Sequence, residues 1–280
     1  MDADCLGDHG HTDAKHVCIR GSNVAKIAVT GSASGIGAAT VQALRSAGFD
    51  VLSVDLRNAD IQGDLSSASG RAAVVAEVLS QSGGVLDGVV LCAGLGPQHP
   101  RAEGVAQVNY FGVTELLDGL KPALEKGQGR AAVVVSSVAS VHLGWEQNPL
   151  GAALESGDHG AVSTILEGAG ARAGQLAYAG SKNAVTVAVR RRAADWGALG
   201  LRLNTVAPGA VETPLLQAGL ADPRFGKAIE SFVAPIARRA APAEIASAIL
   251  FLMGPGASFV HGTQLFVDGG IDAATRPTRF

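Results

Sequence analysis

A short apolar run, Ala25-Lys26-Ile27-Ala28-Val29-Thr30, leads straight into Gly31-Ser32-Ala33-Ser34-Gly35-Ile36-Gly37. Ala39, Val41, Ala43, Leu44 and Ala47 then recur at helical spacing. Strand, glycine-rich turn and helix in this order make the first half of a βαβ unit. The glycines let the backbone approach a pyrophosphate closely, and the helix start offers free N–H groups to it. Such a turn also occurs as a purely structural bend, so the rest of the chain has to support the phosphate reading.

Further strand-like runs follow at Asp50–Asp55, Ile61–Leu65, Leu86–Leu91, Ala131–Ser137, Leu201–Ala207 and Gln264–Val267. With the first run they total seven, and helical stretches separate most of them. This alternation predicts an α/β, Rossmann-like, doubly wound seven-stranded parallel sheet. The composition agrees: 47% of the residues are hydrophobic and only 4% aromatic, which suits a buried sheet under closely packed, Ala-rich helices. A formal net charge of −3 offers no basic field for nucleic acid or a membrane surface. No apolar run nears the roughly 18 residues that span a bilayer. Met1 to Ser22 carries four aspartates and no apolar core of a secretory signal. Three cysteines, Cys5, Cys18 and Cys92, form no CxxC pair, so a reduced, cytoplasmic setting is expected.

Chemistry-bearing residues stand at the ends of these runs. Asp55 closes the second strand, where a carboxylate can accept hydrogen bonds from ribose hydroxyls and repel a 2′-phosphate. The glycine turn contains no Lys or Arg, so NAD is expected over NADP, although Arg57 is near. Asp55 could equally serve as a turn-stabilising Asp. Asp64 and Leu65 end the third run, and Ala93-Gly94 turns out of the fourth. Asn109 lies among Val105, Val108 and Phe111 in a helical pattern over 101–125, an awkward place for an amide without a task. Ser136 and Ser137 end the fifth strand, and Pro208-Gly209 ends the sixth abruptly. Tyr178 and Lys182 are four residues apart, on one face of a helix expected over 177–197. A positive charge there would lower the phenol's pKa towards neutrality. Taken alone, that spacing is also what an ordinary surface helix shows.

Residues 1–23 read as a polar, disordered tail. Its His9, His11 and His16 lack the ligand spacing of a closed metal site near Cys5 and Cys18, and no metal is expected. The remainder, 24–280, is expected as a single catalytic domain. Between about 140 and 174 the strand–helix alternation breaks, and two short helices are expected as an insertion, one at Leu150, Ala153 and Leu154, the other at Ala161, Ile165, Leu166 and Ala169. Trp145 and His142 follow the Ser137 strand and could line a pocket. The segment 214–240, punctuated by Pro223 and Pro235, suits a flap over a ligand.

Together, Gly31/Gly35/Gly37, Asp55, Asn109, Ser137, Tyr178/Lys182 and Pro208-Gly209 resemble the short-chain dehydrogenase/reductase family over about residues 24–270. The resemblance implies that Thr30, Gly31, Ser34, Gly35, Ile36 and Gly37 form the phosphate turn of an NAD site. It implies that Asp55 meets the adenosine ribose, Asp64 and Leu65 the adenine, and Ala93-Gly94 the cofactor. Pro208, Val211 and Thr213 would hold the nicotinamide. Asn109, Ser137, Tyr178 and Lys182 match the catalytic tetrad, with Tyr178 as acid/base, Ser137 holding the substrate oxygen, Lys182 lowering the Tyr178 pKa and bonding the nicotinamide ribose, and Asn109 holding a water as a proton relay. Two departures stand out. Leu91-Cys92 replaces an Asn pair before Ala93-Gly94, which puts the turn's stability in question. Ser137 and Tyr178 are 41 positions apart, far more than in most members. That insertion, with Asn148-Pro149-Leu150, Glu212–Gly219 and Asp268–Asp272, resembles the bacterial 3α-hydroxysteroid dehydrogenase/carbonyl reductase subgroup. The implied activity interconverts a secondary alcohol, such as a 3α-hydroxysteroid, and a ketone. A dihydrodiol, another secondary alcohol or a non-enzymatic NAD-sensing role remain alternatives. The subgroup further implies a homodimer formed near Ala243–Val267.

Overall fold

The computed structural model describes residues 24–279; the tail expected over 1–23 lies outside the described residues. Seven strands form one sheet in the order β3-β2-β1-β4-β5-β6-β7. They are β1 (Lys26–Thr30), β2 (Asp50–Asp55), β3 (Ile61–Gln62), β4 (Gly88–Leu91), β5 (Ala131–Val135), β6 (Arg202–Pro208) and β7 (Gln264–Val267). Every neighbouring pair is parallel, as the strand–helix alternation predicts. The order reverses direction between β1 and β4, and the strand ends there open a crevice in which such sheets bind ligands. The expected third strand shrinks to two residues because Gly63 and Asp64 already turn out of it.

Helices flank the sheet on both faces: α1 (Gly35–Ser46), α2 (Ala68–Gln81), α3 (Ala102–Ala106) and α4 (Gly112–Leu124) in the first half. One turn of π-helix, Gln107–Phe111, joins α3 to α4 and carries Asn109. The second half holds α5 (Gly151–Ser156), α6 (His159–Gly168), α7 (Ala173–Arg191), α8 (Ala193–Ala198), α9 (Pro214–Ala221), α10 (Gly226–Ser231), α11 (Pro242–Met253) and α12 (Ile271–Thr275). The helix expected over 177–197 starts four residues earlier, behind a 3₁₀ turn at Gly170–Arg172, and its last turns are set apart as α8.

Two apolar layers result. Val41 and Leu44 of α1 meet Ile245, Ile249 and Leu252 of α11 against one face of the sheet. On the other, α2, α4 and α7 pack together, and Leu150, Leu154, Val162 and Leu166 join the same cluster. Each such side chain, fully buried, contributes about 2 kcal/mol. The insertion's two helices are therefore seated in the main core through the apolar positions that their one-turn spacing picks out. Its polar residues Glu146, Asp158 and His159 are exposed.

Candidate active site

A cleft of about 530 Å³ opens at the C-terminal ends of the strands, over the crossover between β1 and β4. The glycine turn forms its floor. Gly31 adopts φ +67°, and a Cβ there would sit 2.7 Å from the backbone nitrogen of Ala93. A Cβ on Gly37 would lie only 1.9 Å from the Gly31 carbonyl oxygen, so the first turn of α1 closes on the loop with no room for a side chain. Ser34, the N-cap of α1, makes no side-chain cap bond, which leaves the helix start bare towards the cleft. Backbone so close to the cleft, with a helix N-terminus behind it, fits a pyrophosphate.

Asp55 sits at the end of β2, where its carboxylate accepts hydrogen bonds from the backbone N–H of Ala33, at 2.9 Å, and of Leu56, at 2.7 Å. The acid thus ties the glycine turn to β2 while facing the cleft. Asp64 accepts from the Ser66 N–H and hydroxyl, and these bonds hold its carboxyl below the usual range. Leu65 is buried beside it. The turn that lacks the Asn pair is held otherwise: the Thr30 hydroxyl accepts from Ala93 N–H at 3.2 Å, and Cys92 N–H donates to the Thr30 carbonyl. Cys92 faces the cleft, but burial pushes its thiol up to about 12, so it is not a nucleophile.

Tyr178, Ser137 and Lys182 converge at the cleft's inner end with Pro208, Val211 and Thr213. Ser137 ends β5 in extended backbone and caps the 3₁₀ turn Val138–Val141, accepting from Ala139 N–H at 3.1 Å. Lys182 is buried, and its ammonium donates to the Val135 carbonyl at 2.7 Å. Loss of solvent lowers its pKa to about 8. The lowering of the Tyr178 pKa by Lys182 that the four-residue spacing predicts is not what the surroundings produce. Burial is the largest influence and raises the phenol, and hydrogen bonding with Ser137 opposes it. The spacing puts the two residues one turn apart on α7, but the Lys182 ammonium is bound to β5.

Asn109 is wholly buried beneath the cleft and absent from its lining. Its amide is spent on the backbone of one residue: Oδ1 accepts from Leu95 N–H at 2.8 Å, and Nδ2 donates to the Leu95 carbonyl at 3.0 Å. The side chain therefore pins the loop after β4. Gly94 keeps the neighbouring space clear, since a Cβ there would lie 3.2 Å from Asn109 Oδ1 and 3.6 Å from Lys182 Nζ.

The other expected positions, Gly31, Ser34, Gly35, Ile36, Gly37, Asp64, Leu65, Ala93 and Gly94, all line the cleft. Trp145 and His142 do not. Trp145 packs on the core, with the Arg191 guanidinium over its ring at 4.8 Å. His142 is exposed, its ring edge towards Phe232 at 6.3 Å. Nothing in the sequence sets the direction of a side chain in an irregular loop, and here both rings turn away from the cleft. Leu215 and Leu216, from the segment expected as a flap, line the cleft, and so do His99 and Arg101, which no motif marks. For His99 and Arg101 the only signal in the sequence is a position in the loop after β4.

The comparisons agree with this fold. The chain belongs to the short-chain dehydrogenase/reductase family. Residues 25–157 match the family described as short chain dehydrogenase, and residues 155–272 one described as enoyl-(acyl carrier protein) reductase. The chain is 58% identical over 254 residues to the 3-alpha-hydroxysteroid dehydrogenase/carbonyl reductase of Comamonas testosteroni, covering 91% of this chain and 99% of that protein. It is 30% identical over 270 residues to the 2,5-dichloro-2,5-cyclohexadiene-1,4-diol dehydrogenase of Sphingobium indicum, covering 88% and 96%. The crystal structure of the 3-alpha-hydroxysteroid dehydrogenase from Pseudomonas sp. B-0831 complexed with NADH superposes with a TM-score of 0.88 at 52% identity, covering 91% of this chain and all of that one.

Proposed function

We propose that the chain is an NAD(H)-dependent oxidoreductase that interconverts a secondary alcohol and a ketone, with 3α-hydroxysteroids and related carbonyl compounds as its substrate class. The observation that carries this reading is the meeting of Tyr178, Ser137 and Lys182 at the inner end of the glycine-floored cleft. Its likeness to the Comamonas enzyme over 99% of that protein supports the substrate class. Gly31, Ser34, Gly35, Ile36 and Gly37 would cradle the pyrophosphate. Asp55 would take the adenosine ribose, Asp64 and Leu65 the adenine, and Ala93, Gly94, Pro208, Val211 and Thr213 the nicotinamide half. When bound, the dinucleotide supplies or accepts the hydride.

In the reductive direction Tyr178 donates its phenolic proton to the carbonyl oxygen, and in the oxidative direction it takes the alcohol proton back. Ser137 donates a hydrogen bond to the same oxygen as charge develops on it. Lys182, charged below about pH 8, holds a positive charge at the base of this pair. Asn109 fixes the loop that borders the Lys182 ammonium, and a proton relay to solvent past Gly94 belongs to the same proposal.

Replacing Tyr178 with Phe keeps the ring and removes the proton. The Tyr178→Phe enzyme should bind NADH normally by fluorescence and lose roughly 10²- to 10⁴-fold in kcat towards 3α-hydroxysteroids. Wild-type turnover by that variant would overturn the proposal. An NAD-sensing module, by contrast, would show binding without turnover in the wild type.

We further propose a cytoplasmic homodimer paired around Ala243–Val267. In this stretch Phe251 is 48% exposed and Phe259 wholly exposed. Light scattering should give twice the chain mass, and Phe259→Asp should halve it. Fractionation of the native host should recover the enzyme with cytoplasmic markers.

A further inference from the structure

The insertion meets the catalytic helix through a buried pair of amides. Asn148 lies in the insertion just ahead of α5, and Asn183 follows Lys182 on α7. Both are 7% exposed. Asn148 Nδ2 donates to the Gly180 carbonyl at 2.9 Å and to Asn183 Oδ1 at 3.0 Å. Its Oδ1 accepts from Leu150 N–H at 3.1 Å. Asn183 Nδ2 in turn donates to the carbonyls of Ser140, at 2.9 Å, and Leu143, at 3.2 Å. These two carbonyls belong to the segment that begins at Ser137. The same segment is gripped from the other side, where Ser140 Oγ pairs with the Gln264 side chain of β7.

Gly180 makes the contact possible. It lies between Tyr178 and Lys182, and a Cβ there would fall 3.0 Å from both Asn148 Oδ1 and Leu150 Cδ1. The insertion thus rests on the catalytic helix at its one residue without a side chain in this turn. No buried side-chain nitrogen or oxygen among the described residues is left unpaired, those of the two amides included. Buried amides with every bond made hold a unique geometry, because any displacement strands a donor or acceptor out of reach of water.

We infer that Asn148 and Asn183 are positioning residues through which the insertion sets the placement of the Ser137 segment against Tyr178. The inference rests on the oxidoreductase reading above, with Ser137 and Tyr178 acting on one substrate oxygen. Neither amide lines the cleft, so neither touches cofactor or substrate. Their effect is confined to the relative placement of two groups on different elements. Small misplacements of this kind reduce turnover strongly while leaving binding intact.

A further readout follows from the chemistry of the phenol. Hydrogen bonding with Ser137 is what opposes the upward push of burial on Tyr178. The other titratable groups lining the same end of the cleft are Lys182, from α7 itself, and Cys92, from the turn after β4. If the Ser137 segment loosens, the phenol should rise further, and the pH profile of kcat in the oxidative direction should move to more alkaline pH.

The test uses Asn148→Ala, Asn183→Ala and Gly180→Ala in the full-length protein with NAD and a 3α-hydroxysteroid. Gly180→Ala guards against simple unfolding, since Ala favours helix by about 1 kcal/mol over Gly while pressing on Asn148. The expected result is at least a tenfold fall in kcat for both Asn variants and a smaller fall for Gly180→Ala. NADH affinity by fluorescence should stay within twofold, and the pH profile should shift alkaline in all three. Wild-type kcat and pH profile in Asn148→Ala and Gly180→Ala would overturn the inference. So would a parallel loss of kcat and NADH affinity in all three variants. A Tyr178→Phe control separates this failure from failure of the functional reading: it must be inactive for the reading to stand, whatever the amide variants do.

Discussion

The Lys182 ammonium is held by the Val135 carbonyl, 2.7 Å away at the end of β5, and this bond anchors α7 to the sheet. The cation is buried, and its pKa is lowered to about 8 by lost solvation. A group with a lowered folded-state pKa binds fewer protons folded than unfolded between about pH 8 and its ordinary value near 10.4. Wild-type stability therefore gains with rising pH across that window and loses the gain as pH falls through 8. Lys182→Met removes the titration. The difference in Tm, wild type minus variant, should become more positive from pH 7 to pH 10. An unchanged difference would mean that Lys182 keeps the ordinary pKa of a solvated lysine in the folded state. The same variant should be catalytically inactive at every pH.

Ser137→Ala should act on two observables together. Loss of a hydrogen-bond donor to a developing oxyanion costs on the order of 10²-fold or more in kcat. The variant also removes the hydrogen bond that opposes the upward shift of the phenol, so its alkaline pH optimum for alcohol oxidation should move higher. A kcat loss with an unmoved optimum would separate Ser137 from Tyr178.

Asp55 joins the end of β2 to the glycine turn and presents negative charge to the cleft. Asp55→Asn keeps the acceptor oxygen and removes the charge that repels a 2′-phosphate. The ratio of kcat/KM for NAD over NADP should fall by roughly tenfold, about 1.4 kcal/mol of discrimination. Steady-state kinetics with both cofactors measures it directly.

Gly37→Ala places a methyl 1.9 Å from the Gly31 carbonyl. Overpacking against movable side chains costs about 1–3 kcal/mol, and here the obstacle is backbone on both sides. The variant should melt several degrees below wild type and lose NADH binding, as followed by thermal denaturation with and without NADH.

Much of the machinery is legible in the sequence because it sits where strands end. A strand of alternating facing, once its length is known, delivers Asp55, Ser137 and Pro208 to one edge of the sheet, and parallel pairing puts all such ends on the same side. Glycines at 31 and 37 are legible for a related reason, since close backbone approaches exclude every other residue. Loop residues are less so. His142 and Trp145 follow Ser137 closely but turn away from the cleft, and His99 and Leu215 enter it from distant segments. Their directions depend on packing partners far away in sequence.

By itself the sequence determined the seven-stranded parallel sheet and the family, and it singled out Ser137, Tyr178 and Lys182, which the fold brings to one cleft, because period, glycine geometry and strand ends are local properties. Only the tertiary structure decided what those residues do to one another. It directed Lys182 to Val135, so that burial and Ser137 govern the phenol. It spent Asn109 on the Leu95 backbone. It joined Asn148 to Asn183 across the insertion. Each of these outcomes turns on which buried donor finds which acceptor, and that pairing is settled by long-range packing, where an unpaired polar group costs about 1–3 kcal/mol.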